Sequence, residues 1–246
     1  MRFQELPNET NTPRRLDSCS GRALAGYRIG DQASGWKHGH DGQIDNTVAR
    51  LLRAGEVTGA GVAIFDPRSV EFIKGYGFRD KEKTLPLTPD SVMSAASFTK
   101  VAFAYMVMKL VDEGALNLDR PIEQYLPKPL PRYPRYTDLA GDPRYKRITA
   151  RMLLSHTSGF ANYRAFEDDR KLHIHFEPGS RFAYSGEGIL LLQLVVETIT
   201  RQPLALLMQE RVFGPLGMTR TSMVWQDRFD GDFANGYDEI RALTRC

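Results

Sequence analysis

The sequence predicts an α+β domain. Two short apolar runs separated by a turn lie at 59–65 and 70–78, after a short helical run at 45–54. Long helical runs follow, the most apolar from Ser97 to Val111. A hairpin of strands set beside helical runs, rather than strands alternating with helices, points to this class. At 246 residues the chain has ample surface to bury a core.

Residues 1–40 carry Gly, Asn, Ser and Asp throughout and predict a poorly ordered extension; 41–246 form the domain. Asp45–Ala54 predicts a helix, with Val48, Leu51 and Leu52 on one side and Asn46 or Asp45 as cap. The run from Gly59 to Phe65, the turn Asp66-Pro67-Arg68-Ser69 and the run Val70–Phe78 predict an antiparallel hairpin. Leu85–Asp90 is an extended connection.

From Ser97 to Val111 the apolar residues run nearly all round, which predicts a helix buried on every side, ended at Gly114 by a left-handed cap. Leu126–Lys146 is rich in Pro, Tyr and Arg and predicts an irregular surface loop. Thr149 caps a short helix at 150–155. Pro178-Gly179 is a turn, Gly188–Thr200 a buried helix, and Pro203–Phe213 a last helix stopped at Gly214-Pro215-Leu216-Gly217.

Composition excludes several function classes. Thirty-three Lys and Arg against 30 Asp and Glu leave a formal charge of +3, too small to argue for nucleic acid or an anionic membrane. No stretch approaches the ~18 apolar residues of a membrane span. Arg14-Arg15 and the cysteine after Leu16-Asp17-Ser18 lack the apolar segment that an export signal needs. The compartment is therefore not readable, with the cytoplasm favoured. Two cysteines, Cys19 and Cys246, read as unrelated thiols rather than a disulfide framework or a zinc site.

The chemistry concentrates at Ser97-Phe98-Thr99-Lys100. A serine and a lysine three apart on a helix share one face, and Ser–Lys pairs are an alternative to the Ser-His-Asp triad. Ser34-Gly35-Trp36-Lys37 has the same form but lies in a polar, Gly-flanked segment with no element to hold it. Taken alone, Ser97 and Lys100 read as a cap and a snorkelling lysine, and Tyr184 as a half-buried core residue. His156 reads as structural. His173 and His175 alternate as on a strand without an evident third metal ligand. Arg132–Tyr136 with Arg144–Arg147 interleaves basic and aromatic residues, as in a surface that stacks on single strands, but reads more readily as a loop. There is no Gly-x-Ser-x-Gly elbow.

Several segments in order change those odds. Ser97-Phe98-Thr99-Lys100, Asp112–Ile122, Tyr125-Leu126-Pro127, Ile148–Gly159, Pro178–Gly186 and Pro215-Leu216-Gly217-Met218 together resemble the penicillin-recognising serine hydrolases over roughly 43–225. The resemblance is to the class C β-lactamase, D-alanyl-D-alanine carboxypeptidase and β-lactamase-like esterase branch. It implies a β-lactamase/transpeptidase-like fold, with Ser97 as the acylated nucleophile and Lys100 and Tyr184 sharing its proton. The same resemblance implies that the Ser97 backbone N–H supplies half an oxyanion hole. The resemblance further implies small esters or β-lactam or D-Ala-D-Ala-like amides as substrates, with no cofactor, no metal and no nucleic-acid partner; the oligomeric state is not readable.

Two departures stand out. Where the family has Tyr-x-Asn, this chain has Tyr184-Ser185-Gly186, which disfavours amide recognition more than ester hydrolysis. The family's third motif, Lys-Thr-Gly or His-x-Gly, has no counterpart after Met218, and His40-Asp41-Gly42 precedes the first motif and reads as chance. The expectation is therefore an incomplete domain lacking its C-terminal strands, an open hairpin edge, and weak activity or none, since one lost oxyanion donor costs about 10²–10³ in turnover. A catalytically incomplete fragment or non-catalytic relative is the alternative to an active hydrolase, and a basic-loop binding module comes third.

Overall fold

The computed structural model describes residues 41–67 and 69–237 together with the strand 243–244. The N-terminal extension, the Ser34/Lys37 pair, His40 and both cysteines lie outside the described residues.

Helix α1 (Asp41–Ala54) begins four residues before the predicted start, with Asp41 in its first turn where a carboxylate suits the helix dipole. The hairpin forms as read. Strand β1 (Gly59–Phe65) pairs antiparallel with β2 (Val70–Asp80), with Ala63 opposite Ile73 and Ala60 opposite Tyr76. Period-two alternation then sends Tyr76 and Lys74 to one face, where both meet Asp45 of α1, at 2.7 and 2.8 Å. The short strand β3 (Leu85–Pro86) adds to β2, giving the order β1-β2-β3. Among the described residues β1 has a neighbour on one side only, and Phe65, Val70 and Ile73 are exposed, in line with the open edge expected. The chain returns to the far end of β2 late. Asn235 N–H donates to the Arg79 carbonyl at 2.8 Å, and β4 (Gly236–Tyr237) pairs with β5 (Leu243–Thr244).

The core lies among the helices. Helix α2 (Thr99–Asp112) buries Phe103, Met106, Val107 and Leu110, and Gly114 closes it at φ +72°. It is not buried on every side. Phe98, Val101, Tyr105 and Met108, spaced three and four apart, form an exposed stripe. Apolar composition fixes what a helix prefers, but the packing around it decides which side is covered.

Helix α3 (Ala150–Leu154) starts where Thr149 Oγ1 accepts the Met152 N–H at 3.3 Å. Helix α4 (Gly186–Thr200) buries Leu191, Leu192, Val195 and Val196. It begins two residues earlier than predicted, because Ser185 Oγ caps it by accepting the Gly188 N–H at 2.9 Å. Helix α5 (Leu204–Met208) runs into a wider turn of the π type to Phe213 rather than continuing as α-helix. No single helix among the described residues is long and apolar enough to cross a membrane. Helix α4 and the segment Leu204–Phe213 pass that test only as a pair bent by 82°, and most of their apolar residues, Leu206 aside, pack into the core.

The segment 126–146 corrects the sequence reading. It is a chain of 3-10 turns, irregular as expected, but Leu130, Tyr136, Leu139 and Tyr145 are buried in the core. Arginines in and beside it are engaged as well: Arg144 with Asp142 and the Ile174 carbonyl, Arg147 with Glu177, Arg135 with Glu187. Two of the tyrosines that a base-stacking surface needs therefore face inward.

Candidate active site

Ser97 sits in a 3-10 turn (Ala96–Phe98) that leads into α2, not inside the helix itself. The residue before it, Ala96, has φ +41°. A non-glycine residue there costs on the order of 1–3 kcal/mol and persists where surrounding structure enforces it. The serine is exposed, and Lys100 stands one turn along, half-buried.

Three side chains meet at one oxygen. Lys100 Nζ lies 3.2 Å from Ser97 Oγ, and Tyr184 OH lies 2.9 Å from the same atom. Tyr184 comes from 87 residues away, so this convergence is tertiary. Lys100 Nζ also stands 5.2 Å from the centre of the Tyr184 ring. The Lys100 ammonium first, then the Ser97 hydroxyl, hold the Tyr184 phenol below its ordinary value, because both stabilise the phenolate. With Tyr184 protonated, Ser97 Oγ accepts from both neighbours. Once the phenol ionises, the 2.9 Å contact reverses, and the phenolate accepts the serine proton.

Tyr184 is held by His156, which the sequence reading left as structural. His156 has φ +56°, and from that left-handed position its carbonyl accepts the Ala183 N–H at 2.8 Å. Its Nδ1 accepts the Ser185 N–H at 3.2 Å, which assigns the ring proton to Nε2. The imidazole lies 4.5 Å from the Tyr184 ring, centre to centre, and Phe182 meets it edge-on at 5.9 Å. His156 thus binds both residues that flank Tyr184 and packs against its ring. Burial, reinforced by the Lys100 charge, pushes His156 below its ordinary value. Nothing local in the sequence marks this role.

Gly186 ends the same loop. A Cβ there would come within 2.8 Å of the Asn162 carbonyl and of the Tyr163 ring, and Asn162 Oδ1 already accepts the Gly186 N–H at 3.0 Å. Neighbouring Glu187 is 1% exposed and closes the loop from below. Its carboxylate takes the Arg164 backbone N–H and Nε on one oxygen, and Arg164 Nη2 and Arg135 Nη2 on the other, at 2.9–3.2 Å. Burial pushes Glu187 up, yet the Arg164 hydrogen bonds and the two guanidinium charges win and hold it below its ordinary value.

His173 and His175 do not join this site; they pair with Asp169 at 2.9 Å and Glu167 at 3.0 Å. No group of three or more metal-ligating side chains occurs among the described residues.

The chain matches the Beta-lactamase family profile over residues 44–245. Protein flp of Staphylococcus aureus is 28% identical over 211 residues, covering 80% of this chain and 41% of its own length. Esterase EstB of Burkholderia gladioli is 28% identical over 225 residues, covering 80% and 55%. Among solved structures, an octameric penicillin-binding protein homologue from Pyrococcus abyssi aligns with a TM-score of 0.65 at 26% identity, over 82% of this chain and 49% of that one. The D-alanine carboxypeptidase AmpC from Burkholderia cenocepacia aligns with a TM-score of 0.69 at 24% identity, over 83% and 56%. The chain spans about half the length of the curated relatives it matches. Its fold is β-lactamase/transpeptidase-like.

Proposed function

Because this chain belongs to the Beta-lactamase family, we propose that it is a serine hydrolase that forms an acyl-enzyme on Ser97. Carboxylic esters are the favoured substrates, ahead of β-lactam or D-Ala-D-Ala-like amides. The observation that carries the reading is the convergence of Lys100 Nζ and Tyr184 OH on Ser97 Oγ, at 3.2 and 2.9 Å.

In the proposed reaction the Tyr184 phenolate takes the Ser97 proton as Oγ bonds to the carbonyl carbon. The Lys100 ammonium stabilises the phenolate beforehand. The tetrahedral oxyanion forms against the Ser97 N–H. Its collapse breaks the ester C–O bond, and the proton on Tyr184 passes to the leaving alkoxide. Water, deprotonated by the same pair, then releases the acid and restores the serine. Esters are preferred because Gly186 offers no side-chain amide to a substrate amide, and Asn162 and Tyr163 leave no room for one. The test is a burst experiment with a chromogenic ester and a chromogenic cephalosporin. A burst of alcohol equal to the enzyme concentration is expected with the ester, and no burst with either compound would sink the reading.

His156 acts in this scheme as a positioning residue. A neutral imidazole is needed, since a proton on Nδ1 removes the acceptor for Ser185 N–H and adds a cation beside Lys100. Acylation should therefore fall on the acid side as His156 takes up its proton, at a pH below the ordinary histidine value of about 6.5. His156→Asn keeps an acceptor and tolerates the left-handed backbone. It is expected to slow acylation about tenfold, through looser placement of Tyr184, and to remove that acid limb. An unchanged limb in His156→Asn would refute the role.

A further inference from the structure

Between the segment 89–96, which leads into the turn that carries Ser97, and the return segment 220–233 lies a cavity of about 750 Å³. It falls within the roughly 300–1,000 Å³ that holds a whole small ligand. Neither Ser97 nor Tyr184 lines it, so it is distinct from the acylation site. The backbone holds its walls in place: Val92 N–H donates to the Asp232 carbonyl at 2.9 Å, and Ala234 N–H to the Val92 carbonyl at 2.8 Å.

One wall is aromatic. Trp225 meets Phe233 edge to face at 5.1 Å and Phe229 at 5.9 Å, centre to centre. It stays 54% exposed, so ring surface is left for a ligand to cover. Met93 and Met223 add pliable apolar surface. Among the described residues that line the cavity, Arg220 alone carries a charge. Its Nη2 donates to the Asp90 carbonyl and to Asp232; both bonds use that one nitrogen, which leaves Nε and Nη1 for another acceptor. Asp232 does not balance Arg220 fully, because the same carboxylate also stands 3.8 Å from Arg79.

We propose that this cavity is a second ligand site, for aromatic carboxylic acids. The ring packs against Trp225 and Phe233, and the carboxylate accepts from the uncommitted N–H groups of Arg220. A bond between two ionised groups is about twice as strong as a neutral one, so the carboxylate, and not the ring alone, sets the preference. An amine would face a like charge at Arg220, and an aliphatic acid would leave the ring wall uncovered. The site does not depend on chemistry at Ser97.

The test is quenching of Trp225 fluorescence in the full chain carrying Trp36→Phe, which removes the other tryptophan. Para-nitrobenzoate should quench saturably and bind about tenfold more tightly than neutral para-nitrobenzamide, the modest factor that a half-exposed guanidinium supports. Acetate at the same concentration should not displace it. Arg220→Gln should bring the acid and the amide to equal affinity while leaving amide binding as it was, which shows that the cavity is intact. Arg220→Lys keeps the charge and should retain part of the preference. Absence of saturable quenching by para-nitrobenzoate, equal binding of acid and amide in the wild type, or a preference that survives Arg220→Gln would each overturn the site.

Discussion

Replacing Lys100 with Met should slow acylation of Ser97 by about 10²–10⁴-fold, the range that a positioned proton-transfer group contributes. Methionine keeps the length and apolar body of the side chain and removes its amine, so the helix around it should stay intact. The loss has two parts: the amine 3.2 Å from Ser97 Oγ disappears, and so does the positive charge that stabilises the Tyr184 phenolate. The second part gives the variant a distinct signature. In the wild type the phenol ionises below its ordinary value, so the base-catalysed limb of the pH–rate profile lies below about pH 10. Without Lys100 the limb should move upward toward that value, and raising the pH should recover part of the lost rate. A Lys100→Met enzyme with an unshifted limb would show that Lys100 does not act through Tyr184.

The largest stability effect is expected at Glu187. It is 1% exposed and shared by two arginines, and Arg164 spends its Nε, Nη2 and backbone N–H on it. Removing the carboxylate leaves the Arg164 Nε and backbone N–H without their acceptor in a largely buried place, which costs about 1–3 kcal/mol. Glu187→Ala should therefore lose that much stability in urea unfolding, and it should slow acylation too, because Glu187 anchors the loop that carries Tyr184. The pH dependence has a definite sign. Glu187 titrates lower in the folded chain than in the unfolded one, so its contribution is complete above its ordinary value of about 4.5 and is lost as pH falls through the folded value. The gap between wild type and Glu187→Gln should accordingly narrow as pH drops below that point. A gap independent of pH would mean that packing, not charge, holds the loop.

Much of this architecture was legible because its signals are local. The hairpin at 59–78 shows alternation and a turn, and Ser97 to Lys100 shows a helical spacing ahead of a long apolar run. What stayed hidden depends on contacts across the fold. The predicted helix starts at Gly188, yet α4 starts at Gly186 because Ser185 caps it, and Asn162 and Tyr163 crowd the space that a side chain at 186 would need. The 126–146 segment looks like a polar loop because 3-10 turns carry no long period, although Tyr136 and Leu139 are buried in it. Exposure of Val101 and Tyr105 contradicts their apolar character, which no count along α2 reveals. His156 is the clearest case: its effect on Tyr184 passes through the Ala183 and Ser185 backbone and a ring contact, none of which a sequence displays.

The central claim is that Ser97 becomes acylated with Lys100 and Tyr184 as its proton-handling partners. Intact-mass analysis and peptide mapping after reaction with a fluorophosphonate test it most directly. One adduct per chain is expected, located on Ser97, absent in Ser97→Ala and formed far more slowly in Tyr184→Phe. An adduct that persists in Ser97→Ala, or that maps to another residue, would contradict it.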